Sequence, residues 1–446
     1  MMSRFLFVLF VTVNTFFSNA QIANSLSAKE AVIIALEKNY SIQISKAQKE
    51  IAQKNNKWSE AGLFPTVDLN VGLNTSIQDN TNNPFTFTPG VILSTNLSPN
   101  LSLNMNLFSG MAVRISKQRL EQLESQSKGN ALTLIESTIL DVLKAYYQAV
   151  AQRDKLEVLN LIKKNSYSRF RFYDIKRSIG TASSLEELQF KNLYFTDSIN
   201  AKIQNTSYEN SLRNLYLLMN SDFSQTNSPF LSDSLWVDIP IINYEEAISN
   251  LPNTNQDLKN QYLALELQRT NTAFQQSFLY PTLGLQAGIT PARSWFRDLN
   301  DESLKISTEV LMYNGGLNLR YNLFNNWKHK RAVQASRIQE SIASLSYDRL
   351  KKSLESNLAT LINIYQNNAD LVALSQLNLS YAKQAWELAE LRFDLGTLNS
   401  VELVSFKNNY ESQSLQFYDL ELSKINTFLD IYKMTGRLRL DYIEQR

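Results

Sequence analysis

The chain contains no cysteine and a single histidine, His329, among its 446 residues. The lack of cysteine excludes disulfides, thiolate metal sites, thiol nucleophiles and lipid attachment at an N-terminal cysteine. One histidine cannot build a histidine triad or a multi-histidine metal centre, so we expect His329 to be a surface residue. The sequence also has no phosphate-binding loop. These absences argue against an enzyme, and we expect no cofactor and no metal.

Glycine and proline are scarce, at 12 and 9 residues. So few helix breakers in a chain of this length favour long helices. Charge of one sign is not in excess, because 44 basic residues face 42 acidic ones. Nothing therefore indicates a nucleic-acid partner.

Long apolar runs are missing after the N-terminus. Residues 1–20 have the pattern of a signal peptide, with Arg4, an apolar stretch at 5–13 and the small-residue site Ser18-Asn19-Ala20. The apolar stretch is too short to span a bilayer as a helix. We expect a mature chain that starts near Gln21 and leaves the cytoplasm.

What the sequence does contain is an internal repeat with a constant separation of 216 positions, as between Gly180-Thr181 and Gly396-Thr397. Phe64-Pro65 likewise returns as Tyr280-Pro281. A constant separation predicts two copies of one structural unit. We place them at residues 21–221 and 222–446, the second beginning with a linker.

Four segments alternate between apolar and polar residues, at about 65–78, 97–108, 281–290 and 309–324. In the first, Val67 and Leu69 alternate with Asp68 and Asn70. Their length of roughly ten residues and their mostly uncharged polar face suit tilted membrane strands around a water-filled lumen. A soluble antiparallel sheet packed on one face would show the same alternation. The signal peptide and the long helices favour the membrane.

The ends of these segments differ in character. The segments 79–96 and 290–307 are polar and are expected to be extracellular loops. The opposite ends carry the strand-opening prolines and the aromatic residues of an expected periplasmic girdle, namely Phe64, Pro65, Phe108, Tyr280, Pro281 and Phe324.

Four strands cannot close a membrane barrel, and lipid does not tolerate open strand edges. Closed bacterial barrels start at eight strands, which leave little free interior. One chain must therefore share a barrel with copies of itself, and a conducting channel needs three or more chains.

The spans from Phe108 to Gly180 and from Phe324 to Gly396 contain no proline. Each would be about 105 Å long as a single helix. An apolar stripe that includes Ile139, Leu143 and Tyr146 gives the first span a packing face. The alternative is a set of shorter helices in a soluble bundle.

Each long helix is expected to end at a glycine in the left-handed conformation, Gly180 or Gly396. Ser183 to Glu186 and Asn399 to Glu402 then have the pattern of capping boxes that open the next helix. Each copy is therefore expected to form a long helical hairpin with its tip at position 180 or 396.

With these features the chain resembles the outer membrane efflux protein family, the TolC-like exit ducts. The resemblance rests on the tandem repeat, on Phe64-Pro65 and Tyr280-Pro281, on Leu107-Phe108-Ser109-Gly110, and most specifically on the run from Leu391 to Leu403. Leu323-Phe324-Asn325-Asn326 departs from the usual Leu-Phe-x-Gly-Gly pattern.

The resemblance implies an α+β membrane protein that forms a homotrimer. Four transmembrane strands per chain would build a twelve-stranded barrel in outer-membrane lipid, and the long helices a periplasmic α-barrel. Residues 222–245 and the stretch after Gly436 would belong to an equatorial girdle. A periplasmic adaptor and an inner-membrane transporter would dock at the helical tips.

The resemblance also suggests a gate at these tips. Glu402 matches a position that forms an acidic ring in closed channels of the family, and Glu186 is its counterpart in the first copy. A second ring position is Ser405 here, so that ring is missing or weaker. Plain helix capping is the alternative role for both glutamates. Arg177 and Arg392 are candidates for ion pairs that tether the closed state, or for solvated helix ends.

Three functions are compared at this stage. The leading hypothesis is a passive exit duct of a tripartite pump in the cell outer membrane, with a large periplasmic portion. The channel of a type I protein secretion system is an alternative within the same class. A periplasmic coiled-coil scaffold without a pore is an alternative of another class, and the four alternating segments argue against it.

Overall fold

In a computed structural model, the described residues are 25–86, 89–223, 230–235, 244–301, 303 and 305–438. The predicted signal peptide, residues 1–20, lies outside them. The helices are α1 (Ala28–Lys38), α2 (Tyr40–Asn55), α3 (Ala112–Ser178), α4 (Ser184–Leu218), α5 (Tyr244–Thr254), α6 (Gln256–Ser277), α7 (Lys328–Asp394) and α8 (Ser400–Met434). The strands are β1 (Ser25–Leu26), β2 (Thr66–Asp79), β3 (Val91–Ser109), β4 (Phe230–Leu231), β5 (Thr282–Asp298) and β6 (Lys305–Arg320).

The two copies fold alike, and most of the described chain is helical. The helices α3 and α7 both have 67 residues, and α4 and α8 both have 35. The long proline-free spans are therefore single helices and not sets of shorter ones. None of the described helices combines the length and the apolar character that a membrane crossing would need.

The strands β2, β3, β5 and β6 form one antiparallel sheet in the order β2-β3-β5-β6. The central pair, β3 with β5, joins the first copy to the second. The outer strands β2 and β6 are the two edges of the sheet, and almost every residue of both is exposed.

The strand boundaries differ from those expected. β3 starts at Val91 and not near residue 97, and β5 runs to Asp298 and not to 290. Most of the expected loop 290–307 is thus strand, and the expected loop 79–96 is strand from Val91 onwards, because the ladder continues where the alternation of hydrophobicity stops. Ser76 and Ser94, for example, are cross-strand partners whose hydroxyls lie 2.8 Å apart.

β6 covers Lys305–Arg320 where 309–324 was expected, so it ends earlier. Its counterpart β3 continues to Ser109, where it pairs with Thr282 of β5. Among the described residues, the equivalent side of β6 has no partner strand in the chain. The last expected residues of β6 consequently have no ladder to join.

The largest core lies around the middle of α3. The predicted apolar face of α3 is buried, with Ile139, Val142, Tyr146 and Val150 each 0% exposed. This face packs against α1, the ends of α4 and α8, and the short parallel pair β1–β4. The Tyr146 hydroxyl donates a hydrogen bond to the carbonyl oxygen of Leu26, at 2.8 Å. Of the expected girdle linker, residues 224–229 and 236–243 lie outside the described residues.

An asparagine joins the returning helix of each copy to a short helix that leads back to the sheet. Asn39 caps α2 and donates from its side-chain amide to the carbonyl of Leu218 in α4, at 3.3 Å. Asn255 caps α6 and donates in the same way to Met434 of α8, at 2.9 Å. Two shorter helices placed end to end thus run beside each long one.

The short helices α2 and α6 have different surroundings. α6 packs against α3 and also against α7, whereas α2 packs against α3. The side of α2 that carries Tyr40, Ile44 and Ile51 is left exposed, at 66%, 59% and 60%. This difference between the copies matters for assembly.

Two glycines after α7 and α8 allow a test of these helix ends. Gly396 has φ 73° and a Cβ there would have open space, whereas Gly436 has φ 71° and a Cβ would lie 2.6 Å from the carbonyl oxygen of Thr254. We expect Gly396→Ala to cost about 1–2 kcal/mol, the strain of a left-handed alanine. Gly436→Ala must cost more, because backbone has to move as well. Thermal unfolding of the purified protein measures both, and equal losses would contradict the packing at Gly436.

Candidate gate at the helical tips

The tip of each hairpin is closed by the same backbone motif. Gly180 has φ 76°, and the N–H of Thr181 donates to the carbonyl of Lys176 at 2.8 Å. Gly396, with φ 73°, and the threonine that follows it repeat this arrangement on the carbonyl of Arg392. These bonds satisfy the last carbonyls of α3 and α7, so each chain reversal is sharp.

Both expected capping boxes are formed. In the first copy, Ser183 and Glu186 exchange hydrogen bonds between side chain and backbone, at 3.2 and 2.9 Å. In the second copy, Asn399 and Glu402 do the same, at 2.9 and 3.4 Å. The bonds from Ser183, first its N–H and then its hydroxyl, lower the pKa of Glu186. Glu402 is exposed, so its carboxylate caps α8 and also faces solvent.

The two candidate tether arginines do not link the hairpins to each other. Arg177 forms an ion pair with Glu187, which joins α3 to α4 within the first hairpin. The Glu187 side chain is only 5% exposed, so this pair closes the hairpin onto itself. Arg392 makes no ion pair within the described part of the chain. Its backbone carbonyl accepts the hydrogen bond from the N–H of Thr397 in the tip motif. The ion pair of Arg177 thus lies within one hairpin, and a role of Arg177 or Arg392 in tethering a closed state stays a prediction.

A residue that the sequence did not single out, Arg169 of α3, does link the hairpins. Its guanidinium forms an ion pair with Asp394 at the end of α7 and lies 4.0 Å from the carboxylate of Glu390. It also lies over the ring of Phe393, at 5.3 Å from the centroid. Burial, and then the nearby Asp394, raise the pKa of Glu390 although Arg169 opposes the shift.

An aromatic cluster lies beside this ion pair. The rings of Tyr173 in α3 and Phe190 in α4 stack at 4.5 Å, and Phe190 meets Phe393 of α7 edge-on at 5.7 Å. Phe393 is the second-copy counterpart of Arg177. The two copies therefore use this position differently: Arg177 holds one hairpin together, and Phe393 packs one hairpin against the other.

A buried charge pair joins the hairpins further from the tips. The Lys407 ammonium of α8 lies 2.7 Å from the carboxylate of Asp197 in α4, and both side chains are at most 8% exposed. Lys407 also lies 3.4 Å from Glu411 in its own helix. Removing one partner of such a pair leaves a buried charge, which is strongly destabilising. This contact therefore holds the two hairpins together at this level.

At the other end of the helices, the expected girdle residues lie where the sheet meets the helices. Phe64, Phe108, Tyr280 and Phe324 all have exposed side chains, between 40% and 68%. Phe108 lies near the end of β3, and the other three lie in the segments that lead into β2, β5 and α7. Their role as an interfacial belt stays a prediction. In the part of the chain that the structure describes, no group of histidine, cysteine or acidic residues could hold a metal ion.

Comparison with known proteins identifies the family. The sequence matches the outer membrane efflux protein family over residues 32–221 and 247–437. A search of curated protein sequences found no match.

Solved structures show the same fold. The Campylobacter jejuni CmeC outer membrane channel has a TM-score of 0.76 and 16% identity, with 92% of this chain and 85% of that chain covered. A membrane protein from Pseudomonas aeruginosa has a TM-score of 0.76 and 15% identity, with 92% of each chain covered. The open state of the Neisseria gonorrhoeae MtrE channel has a TM-score of 0.71 and 17% identity, with 92% and 88% covered. The chain therefore belongs to the outer membrane efflux protein family and is a TolC-like outer-membrane protein with a large periplasmic helical portion.

Proposed function

We propose that the protein is a passive exit duct of a tripartite efflux or secretion system, which a periplasmic adaptor and an inner-membrane transporter open at the helical tips. The duct is a homotrimer with a twelve-stranded barrel in the outer membrane and a helical barrel below it. Family membership supports the class of function. The adaptor and the transporter follow from the family resemblance, and they decide which cargo is exported.

The observation that carries the proposal is the pair of open sheet edges. β2 and β6 lie at the edges of the four-stranded sheet. Unpaired backbone groups cost several kcal/mol each in lipid, so a sheet with these edges cannot span a membrane alone. In an oligomer, β6 of one chain pairs with β2 of the next, so both edges are satisfied by strands that the chain already has.

The repeat indicates how the copies meet. Inside the chain, Leu101 of the first copy pairs with Ile289 of the second. The same contact, shifted by one repeat, pairs Leu317 of β6 with Leu73 of the partner subunit. Three chains then give twelve strands, whereas two give eight and a filled interior.

The helices repeat this logic. Inside the chain, α3 meets α6, and a Cβ on the buried Gly129 would lie 3.0 Å from the side-chain carbon of Asn260. The equivalents of these two residues are Leu345 and Ile44, which are 66% and 59% exposed. Between chains, Leu345 therefore packs on Ile44 of the partner subunit. The contact between chains is therefore apolar, whereas the equivalent contact within the chain involves a polar side chain.

The gate is the set of contacts between the two hairpins at the tips. Within one chain these are the Arg169–Asp394 ion pair, the aromatic cluster and a hydrogen bond from Ser400 to Gln189, at 3.0 Å. They are few, and the ion pair is partly exposed. Separating the hairpins between the tips and the Lys407–Asp197 pair therefore costs less free energy than separating them along their whole length.

Subunit packing is tested by cysteine pairs, since the chain is free of cysteine. We expect Ile44→Cys with Leu345→Cys to form disulfides between chains, seen as a covalent trimer on a non-reducing gel. The matched control, Gly129→Cys with Asn260→Cys, should close inside one chain and leave the mass unchanged. If the control pair forms its disulfide within one chain but the Ile44–Leu345 cysteine pair gives only monomers, the proposed ring of subunits is contradicted.

The tether is tested by comparing two arginines. We expect Arg169→Gln to raise single-channel conductance in planar bilayers, because it releases α7 from α3. Arg177→Gln should leave conductance unchanged and lower thermal stability instead, because its pair lies within one hairpin. A larger conductance for Arg177→Gln than for Arg169→Gln would show that the tether is misassigned.

The charge and the cap of Glu402 are separable. Glu402→Gln keeps an acceptor for the Asn399 N–H, so stability should change little while cation preference falls. Glu402→Ala loses the cap as well, at a cost of about 1 kcal/mol. Cation preference from reversal potentials and thermal unfolding are the two measurements. If cation preference is the same in the wild type and in both variants, Glu402 is a cap alone.

A further inference from the structure

The two faces of the four-stranded sheet differ in character. On β2 the odd-numbered residues from Val67 to Leu73 are apolar, and in the proposed barrel this face meets lipid. The rows of cross-strand partners place the even-numbered residues of the four strands on the opposite face, except where β3 has its irregularity after Asn106. This second face therefore lines the lumen.

The lumen face carries very little charge. Its polar residues are mainly asparagine, serine and threonine. Among the ladder positions that the structure describes on this face, the charged residues are Asp68, Asp298 and Arg320. Asp298 is only 4% exposed and lies at the far end of β5. Asp68 and Arg320 are both exposed and lie at the end of the sheet that meets the helices.

Asp68 and Arg320 cannot meet inside one chain. They lie on β2 and β6, the two outer strands of the sheet. Three strand spacings of about 4.8 Å separate these strands. No ion pair joins either side chain to another residue in the described part of the chain. A contact between the two charges therefore has to cross the boundary between subunits.

The repeat gives the register of that boundary. Inside the chain, Asn104 of β3 lies opposite Gln286 of β5. The same pairing, shifted by 216 positions, sets Arg320 opposite Asn70 of the partner subunit. Asp68 of the partner subunit is the next residue on the same face of β2. Diagonal neighbours of this kind have Cβ atoms about 7–8 Å apart, a separation that long side chains span.

The fold itself does not require these charges. At the boundary between the copies inside the chain, the residues equivalent to Arg320 and Asp68 are Asn104 and Gly284. Both are uncharged. The same diagonal is therefore neutral where one chain supplies both strands, and oppositely charged where two chains meet.

We propose that Arg320 and Asp68 of the partner subunit form an ion pair across each subunit boundary, so that three pairs make a charged ring on the lumen wall. The inference rests on the proposed trimeric duct. A slip of β6 by one residue would turn Arg320 toward lipid, so the pairs also fix the register of the boundary. The ring carries no net charge while every pair is complete, and the loss of one partner unmasks the other.

The position of the ring is tested with the full-length protein, purified as trimers and reconstituted in planar bilayers. Asp68→Asn leaves three guanidinium groups unpaired and should shift the reversal potential toward anions. Arg320→Gln leaves three carboxylates and should shift it toward cations, whereas both substitutions together should restore the wild-type value. Glu309→Gln, which removes a charge from the other face of β6, is the matched control and should leave the reversal potential unchanged.

The pairing is tested by charge reversal. Asp68→Arg or Arg320→Asp sets like charges side by side, and we expect either to lower the temperature at which trimers dissociate in detergent by roughly 5 °C. Both reversals in one chain should recover most of that loss, because opposite charges then meet again at each boundary. If the doubly reversed protein does not assemble, the dissociation temperatures of the two neutral variants and of their combination decide instead.

Two outcomes would overturn the inference. One is a reversal potential that neither neutral variant changes, because the charges would then lie away from the lumen. The other is a set of stability losses that simply add in the combined variants, because residues in contact do not behave independently. Wild-type trimers that conduct in either case refute the ion pairs alone, whereas a wild-type protein that never conducts refutes the duct.

Discussion

Backbone hydrogen bonding at the two edges of one sheet is the constraint on which the rest of the structure depends. The chain supplies four strands, and its folding pairs them through β3 and β5 while β2 and β6 stay open. Lipid cannot solvate such edges. In the proposed duct, copies of the chain complete the sheet, and the closed ring and its lumen follow from that requirement.

The duplication makes this solution simple, because a contact between copies inside the chain is also a template for the contact between chains. The two contacts need not use the same residues. Gly129 meets Asn260 inside the chain, and their counterparts are the exposed Leu345 and Ile44. The same divergence recurs at the tips, where Arg177 closes a hairpin and Phe393 joins two hairpins. Each copy has kept the fold and changed its neighbours.

Local signals in the sequence predicted much of this architecture. The long helices, the glycines at the turns and both capping boxes depend on residues close together in the chain. The repeat is visible as a constant separation of 216 positions, and the family was suggested by the motifs that the two copies carry. The strand ends were harder to predict, because the alternation of apolar and polar residues stops before the end of β5. Beyond Pro291 the outward face becomes charged, which sequence reasoning interpreted as loop.

Contacts that depend on tertiary packing could not be read from the sequence. Arg169 lies three turns before the tip glycine in a stretch with no recognisable motif, and only the tertiary packing of the two hairpins brings it to Asp394. The buried pair of Lys407 and Asp197 joins residues 210 positions apart. The second copy has Asn326 where the first copy has Gly110. Asn326 adopts φ 55°, close to the 60° of Gly110, so the backbone at this position is alike in the two copies although the glycine is absent from the second.

The number of chains in the native complex tests the central claim most directly. Native mass spectrometry of the protein extracted from outer membranes in mild detergent gives that number without assuming any contact. The account predicts a single species of three chains, which supplies twelve strands and closes every edge. A complex of two chains, or a stable monomer, would contradict it.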